Sequence, residues 1–135
     1  TRFNITLDEG VNMVFWALEN SLGGEIFVPK IPSYRITDVA EAMNPGGVKD
    51  IVGIRPGEKI HEEMIHSSDA PNTIDLGRYY AILPIVDNDR FNGYFDDKSV
   101  TKVSTDFSYN SGDNHDFMSI NEIRDLIKKE LKYDL

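Results

Sequence analysis

The sequence has 135 residues, an ordinary size for one domain, with 40% hydrophobic and 27% charged residues. Its net charge of -9 excludes a broad nucleic-acid surface, which needs clustered Lys and Arg, and the absence of cysteine excludes disulfides and thiolate chemistry. No stretch is long and apolar enough to span a bilayer, so we expect no transmembrane segment. The charge predicts no nucleic-acid partner, and the lack of cysteine fits a reducing compartment, so we expect a cytoplasmic protein.

The first part of the chain predicts a helix, a short strand and a second helix. Thr6 and Glu9 have the spacing of a capping box, which predicts a helix over residues 6–20 that is ended by the glycines at 23 and 24. A strand over 25–28 stops at Pro29. Apolar residues at helical spacing mark one face of each helix. They are Val11, Val14, Phe15 and Leu18 in the first, and Ile36, Val39, Ala40 and Met43 in the second.

The middle of the chain predicts short elements joined by turns. In order, they are a strand over 48–55, a Pro56-Gly57 turn, a short helix over 58–65, a strand over 79–86 that Pro84 pushes to a sheet edge, and a loop over 87–114. These boundaries rest on Pro and Gly positions and on the Asp, Asn and Ser content of the last segment.

The last part of the chain predicts a third helix. Ser119 and Glu122 form another capping box. Apolar residues then recur at helical spacing, and lysines suit the negative carboxyl end of the helix. These residues are Ile123, Leu126, Ile127 and Leu131, with Lys128, Lys129 and Lys132. The alternation of helices and strands predicts an α/β to α+β fold.

The sharpest pattern for a binding site is the turn after Arg55. Pro56 and Gly57 suit the two central positions of a type II turn, and Arg55 precedes them at the expected end of a strand. Ligands of α/β sheets bind beyond the carboxyl ends of strands, where an arginine can hold a diphosphate through parallel hydrogen bonds. The alternative is a solvated arginine before an ordinary turn.

Other patterns carry less weight. Tyr94 and Lys98 have the spacing of a reductase catalytic pair, but they lie in a turn-rich stretch that would not place both on one helix face. His61 and His66 miss the spacing of a zinc-protease helix by one residue, and the segment at 87–98 lacks the acidic ligand that closes a calcium loop. The mismatched zinc and calcium patterns predict no metal site, and the absence of a glycine-rich phosphate loop predicts no cofactor site within this chain.

Several stretches together resemble a known family. They are Thr1-Arg2-Phe3, residues 24–33, residues 53–62 and residues 109–114. In these stretches the chain is similar to the inverting UDP-N-acetylglucosamine 4,6-dehydratases of bacterial surface-polysaccharide and flagellin-glycan synthesis, members of the extended short-chain dehydrogenase/reductase group. The likeness runs over essentially the whole chain. Because the sequence opens directly before a helix cap, we expect residues 1–135 to be a single substrate-binding region cut from the carboxy-terminal part of such an enzyme.

The resemblance implies which residues bind substrate. The arginines of the Thr-Arg-Phe and Arg-Pro-Gly motifs are expected to bind the diphosphate of the UDP-sugar, and the acidic residue after the second motif is expected to touch the nucleotide or orient an arginine. A third stretch matches a loop near the sugar nucleotide. The implied substrate-binding residues are Arg2, Arg55, Glu58, Lys30, Ile31 and Ser33. Two departures are Asn4, where relatives often have a large apolar residue, and the poorly matching segment 87–104.

The resemblance also implies what lies outside this chain. An amino-terminal Rossmann half is expected to bind NADP and to carry the catalytic residues, so the chain alone is expected to be inactive and to expose apolar surface. In the intact enzyme, expected to be a homo-oligomer, hydride leaves C4 of the sugar and returns to C6 after water is lost, and C5 is inverted. The alternatives are part of a UDP-sugar 4-epimerase and a non-catalytic binding or assembly module.

Overall fold

The computed structural model describes residues 1–85 and 88–131. Its helices and strands confirm the predicted mixed α and β class. The helices are α1 (Leu7–Asn20), α2 (Ile36–Met43) and α3 (Ile120–Leu131), with 3-10 helices at Ala70–Asn72 and Asn88–Asp96. The strands are β1 (Arg2–Phe3), β2 (Ile26–Pro29), β3 (Ser33–Tyr34), β4 (Glu63–Ile65), β5 (Thr73–Asp75), β6 (Tyr79–Ile82), β7 (Thr101–Lys102) and β8 (Tyr109–Asn110).

The chain divides into two units. Among the described residues, unit 1 comprises 1–4, 31–62 and 110–131, and unit 2 comprises 5–30, 63–85 and 88–109. The expectation that residues 1–135 form a single substrate-binding region stays a prediction. The predicted roles of Val86, Asp87 and Lys132 lie outside the described residues.

Unit 2 is built on a four-stranded antiparallel sheet with the order β2-β6-β5-β7. Pro29 ends β2 at the sheet edge, where its missing N–H costs no ladder hydrogen bond. Helix α1 packs on the sheet through Trp16, whose ring centroid lies 5.1 Å from that of Phe27 and 4.4 Å from that of Tyr79. The buried core of this unit is aromatic and aliphatic, with Val28, Ile74, Tyr79, Ala81 and Phe91 among its members.

The amino-terminal cap of α1 is as predicted. The Thr6 hydroxyl accepts from the Glu9 backbone N–H at 3.3 Å, and the Glu9 carboxylate accepts from the Thr6 backbone N–H at 2.9 Å. The apolar face identified from the sequence does not face the sheet, however. Phe15 is 61% exposed and Leu18 is 76% exposed, because Trp16 on the other face makes the sheet contact.

Unit 1 combines α2, α3 and the antiparallel pair β1–β3. Both helices lie where the sequence predicts them, and the Ser119–Glu122 capping box is present. The helices bury Ala42 and Ile123, and the Arg124 guanidinium donates to the Ala42 carbonyl at 3.3 Å.

Two predicted elements between residues 48 and 65 are wrong. Residues 48–55 form no strand: Gly53 has φ of 83°, outside the extended region, and Ile51 is 99% exposed. Residues 58–65 form no helix. The Glu62 backbone N–H donates to the Ser111 hydroxyl, and the Glu62 carbonyl accepts from the Ser111 N–H, so neither group bonds within a helical turn. The segment instead ends in strand β4 (Glu63–Ile65).

The predictions for the second half of unit 2 are partly wrong. Strand β6 ends at Ile82 and lies inside the sheet, since β5 closes its other side, and Pro84 follows it without placing it at an edge. The segment expected to be a loop contains the 3-10 helix Asn88–Asp96 and the short strands β7 and β8. Two-residue strands carry too little periodicity to be read from sequence.

Candidate functional site

Arg2 lies on β1, opposite Tyr34 of β3 in the strand register. Its Nη1 donates to the Thr1 carbonyl at 2.6 Å and to the Ile60 carbonyl at 3.2 Å. Its Nε forms an ion pair with Glu62 at 3.5 Å. The guanidinium is therefore held against residues 60–62, although its side chain remains 32% exposed.

Arg55 lies in the predicted turn. The Glu58 backbone N–H donates to the Arg55 carbonyl at 3.0 Å, and φ of Gly57 is 84°, as a type II turn requires. The Glu58 carboxylate accepts from the Arg55 backbone N–H at 3.0 Å. Glu58 thus closes the turn from the other side and fixes the backbone of Arg55, whose side chain is exposed to solvent.

Ile31 lies just before β3, Ser33 is the first residue of β3, and Asn114 bonds to both. Asn114 Nδ2 donates to the Ile31 carbonyl and to the Ser33 hydroxyl, each at 2.9 Å. The Ser33 backbone is fixed on both sides, by the Asp116 carbonyl and by the Met118 N–H, each at 2.8 Å. Since Ser33 is fully buried, its observed contacts shape this segment.

A hydrogen-bond network joins the amino-terminal motif to residues 61–62 and to Ser111. The Thr1 hydroxyl lies 2.7 Å from His61 Nδ1 and 2.7 Å from the Ser111 hydroxyl. The Ser111 hydroxyl also accepts from the Glu62 backbone N–H at 2.9 Å. A side chain at Gly112 would meet the His61 ring at 2.7 Å, so this glycine lets the two segments approach.

Lys30 belongs to unit 2, unlike the other five predicted site residues. Its ammonium donates to both carboxylate oxygens of Asp75, at 2.6 and 2.7 Å, and lies 4.4 Å from the centre of the Tyr80 ring. A ligand that engages Lys30 would have to share or displace the Asp75 carboxylate.

A groove of about 450 Å³ in unit 1 does not suit a diphosphate. Its floor is apolar, but Asp116, Glu122 and Asp125 line it, against a single cation at Lys129. Carboxylates at this density repel an anion. Neither Arg2 nor Arg55 lines this groove, so it is not the diphosphate site that the resemblance implies.

Tyr94 lies in unit 2 as a structural partner of Glu25. Its hydroxyl donates to the Glu25 carboxylate at 2.6 Å and lies 3.0 Å from the Asn20 carbonyl. Burial, and next the hydrogen bond to Glu25, raise the pKa of Tyr94. A raised pKa disfavours the tyrosinate that a catalytic Tyr-x-x-x-Lys pair uses, which agrees with setting the pair aside.

Sequence reasoning missed Glu62, Ser111 and Asn114 as parts of this region. All three lie inside stretches that carry the family resemblance, at 53–62 and 109–114. Their roles depend on contacts across 49 to 83 sequence positions, which no local pattern reveals. The sequence signal that could have found them is that they lie in family motifs although no helix cap, turn or apolar pattern explains them.

Comparisons with known proteins place these motifs in context. A model of the family described as polysaccharide biosynthesis protein matches residues 1–84. The inverting UDP-N-acetylglucosamine 4,6-dehydratase of Campylobacter jejuni subsp. jejuni serotype O:2 is 44% identical over 132 residues, which cover 94% of this chain and 39% of that protein. The UDP-glucose 4-epimerase of Rickettsia prowazekii (strain Madrid E) is 32% identical, covering 98% of this chain and 41% of that protein. The resemblance inferred from the motifs is therefore confirmed.

A solved structure supports the fold. The chain superposes on the structure titled Pen from Bacillus thuringiensis with a TM-score of 0.75 and 23% identity, covering 97% of this chain and 39% of that one. The chain thus spans about two fifths of the length of these relatives. In the described part of the chain, none of the helices has the length and apolar character needed to cross a membrane.

Proposed function

The chain belongs to the polysaccharide biosynthesis protein family, and from this premise we propose that it is the substrate-binding, carboxy-terminal part of a UDP-N-acetylglucosamine 4,6-dehydratase. In this proposal Arg2 and Arg55 bind the diphosphate of the UDP-sugar, while Glu58 fixes the Arg55 turn. Ile31 borders the sugar nucleotide, the buried Ser33 shapes the segment that carries Ile31, and Lys30 stays a predicted contact. It remains a prediction that the protein functions in the bacterial cytoplasm and that it forms a homo-oligomer.

The observation that carries the proposal is the meeting of distant motifs in unit 1. Thr1 and Arg2 bond to Ile60 and His61, which follow the Arg55 turn. Residues 111 and 114 then hold Glu62 and the segment 31–33. Motifs that are far apart in sequence but bonded to one another are expected where several segments jointly build a binding site.

The net charge of -9 makes the arginine placement decisive. The mean field of the chain repels a diphosphate, so binding depends on a few charge-assisted hydrogen bonds from guanidinium groups. Binding energy at the diphosphate, which does not react, can fix the sugar ring for the chemical steps.

We propose that the NADP used by such an enzyme is bound by a part of the protein outside these 135 residues. A dinucleotide pyrophosphate is cradled where a glycine-rich turn opens a helix. Helices α1, α2 and α3 are instead preceded by Thr6, Arg35 and Ser119. When bound, NADP supplies hydride transfer; this chain's residues position the nucleotide sugar for it.

The first test measures UDP affinity in the intact protein that carries this chain. We expect Arg55→Ala to weaken UDP binding by about 10- to 150-fold, because it removes hydrogen bonds to a charged group worth about 1.5 to 3 kcal/mol. Isothermal titration calorimetry gives the affinity. Arg78→Ala is the matched control, since it removes the same charge from an exposed position in unit 2 and should leave UDP affinity unchanged. Equal effects of the two substitutions would refute the proposed diphosphate site.

A second test separates the dehydratase from the epimerase, which the 32% identity to the Rickettsia prowazekii enzyme keeps open. We expect the intact protein to convert UDP-N-acetylglucosamine into a 4-keto-6-deoxy sugar with inverted C5, detected by NMR and mass spectrometry as a loss of water. A product of unchanged mass that differs only at C4 would identify an epimerase. UDP binding without any turnover would identify a non-catalytic binding module.

A further inference from the structure

Glu62 is held between the backbone of β1 and the side chain of Arg2. One carboxylate oxygen, Oε2, accepts from the Phe3 backbone N–H at 2.8 Å. The other oxygen, Oε1, pairs with Arg2 Nε at 3.5 Å. The Glu62 backbone is fixed as well, because its N–H donates to the Ser111 hydroxyl at 2.9 Å and its carbonyl accepts from the Ser111 N–H at 2.8 Å.

These contacts determine the orientation of the Arg2 guanidinium. Glu62 holds its Nε, and the Thr1 and Ile60 carbonyls hold its Nη1. Because the guanidinium is planar and rigid, fixing these two nitrogens also fixes the direction of Nη2. Within residues 1–85 and 88–131, Nη2 makes no hydrogen bond, so it remains available to an incoming anion.

We propose that Glu62 is a positioning residue for UDP-sugar binding, acting through Arg2 by holding its guanidinium ready for the diphosphate. The inference rests on the proposed function, and it adds a residue that does not itself touch the ligand. Partly exposed ion pairs contribute little to stability, and this pair is 32% and 46% exposed. Its effect is therefore expected in ligand affinity more than in folding.

The sign of the charge effect makes the proposal testable. A carboxylate near a diphosphate repels it, so a Glu62 that acted only through its charge would weaken UDP binding, and its neutralisation would strengthen it. Positioning predicts the opposite: neutralisation weakens binding. Gln is a suitable replacement because the two donors use different carboxylate oxygens. A Gln side chain has one acceptor oxygen, so it can serve only one of them.

The experiment titrates UDP into the full-length protein that carries this chain. We expect Glu62→Gln to weaken UDP binding by about two- to fivefold, in line with the loss of one partly exposed ion pair. Glu63→Gln is the matched control, since it makes the same charge change next to Glu62 but removes only a contact to His66, at 3.0 Å. It should leave UDP affinity unchanged or slightly raised. Unchanged or tighter binding by Glu62→Gln would overturn the inference.

A double-mutant cycle tests whether Glu62 acts through Arg2. We expect Glu62→Gln to cause no further loss of UDP affinity in an Arg2→Ala background, because the side chain that it orients is gone. Losses that multiply in the double variant would mean that Glu62 acts independently of Arg2, and would overturn the inference.

UDP titrations of Arg2→Ala and Arg55→Ala separate a failure of the proposed function from a failure of this inference. If Arg2→Ala and Arg55→Ala both leave UDP affinity unchanged, the proposed function fails and this inference fails with it. If they weaken binding but Glu62→Gln does not, only the inference fails.

Should Glu62→Gln lower the melting temperature so far that the protein is unfolded during titration, Glu62→Asp replaces it. Its charge is retained but its reach is shorter, so positioning predicts weaker UDP binding and a charge effect alone predicts none.

Discussion

At the scale of single residues, Glu25 is the carboxylate most strongly stabilised by its surroundings among the described residues with a resolved shift. It accepts from the Tyr94 hydroxyl at 2.6 Å, from the Gly23 N–H at 2.7 Å and from the Ser21 hydroxyl at 2.9 Å. Burial by itself raises the pKa of Glu25, but the hydrogen bonds, that from Tyr94 foremost, outweigh it and lower the pKa from 4.5 to about 2. The charged form therefore ties the 3-10 helix that carries Tyr94 to the turn after α1.

A stability prediction follows for Glu25. Because the folded pKa is below the unfolded one, its contribution is fully present above about pH 4.5 and is lost as the pH falls towards about 2. We expect Glu25→Gln to lower the free energy of unfolding at pH 7 by about 1 to 2 kcal/mol, discounted for partial exposure. Urea unfolding should show this difference shrinking below pH 4.5. Glu19→Gln, at an exposed position of α1, should change stability by only a few tenths of a kcal/mol. A difference that persists unchanged at pH 2.5 would contradict the assignment.

At the scale of elements, the turn from Arg55 to Glu58 depends on one glycine. Gly57 has φ of 84°, and the space where a Cβ would lie is open. The cost of a side chain there is therefore backbone strain without a clash. The turn matters because it fixes the backbone from which the Arg55 side chain projects.

A pair of glycine substitutions tests this element. We expect Gly57→Ala to raise the free energy of the turn conformation by about 1 to 2 kcal/mol. Hydrogen exchange of the Glu58 amide should then become faster and UDP binding weaker. Gly10→Ala is the control, because Gly10 lies within α1 and also has open space around it. It should stabilise the protein by up to about 1 kcal/mol through helix propensity and leave the turn unchanged. If Gly57→Ala leaves both the Glu58 exchange rate and the UDP affinity unaltered, the turn does not position Arg55.

At the scale of the whole molecule, many large apolar side chains of the chain are exposed to solvent. On α1, Leu7, Val14, Phe15 and Leu18 are 60% to 81% exposed. A second exposed group lies in the irregular segment, where Val48, Ile51 and Val52 are at least 89% exposed. Exposed apolar patches of this kind mark surfaces that other protein normally covers, and they favour association when left open.

We therefore predict that the 135-residue chain self-associates when it is produced alone. Replacing Val14 and Leu18 together by Glu should shift it towards the monomer, as measured by sedimentation velocity, because the change places charge on the exposed face of α1. Asn12→Glu and Glu19→Gln on the same helix change charge without removing apolar surface and should have little effect. A chain that is monomeric and melts cooperatively without any substitution would contradict this prediction.

Local patterns in the sequence determined the helices. Capping boxes at Thr6 and Ser119 and the 3.6-residue periodicity placed all three, since these signals depend on neighbours within one or two turns. The Pro56-Gly57 turn was likewise readable, because Pro and Gly restrict backbone angles on their own. The motifs also identified the family.

Only the tertiary structure decided which helix face is covered, which short segments pair as strands, and how Arg2 is held. The face of α1 that packs on the sheet was chosen by Trp16, Phe27 and Tyr79, which come together only after folding. The bonds from Arg2 to Ile60 and Glu62 join residues about 60 positions apart. Periodicity and propensity reflect interactions between residues that are close in the sequence. These contacts instead depend on the packing of segments that are far apart in the sequence.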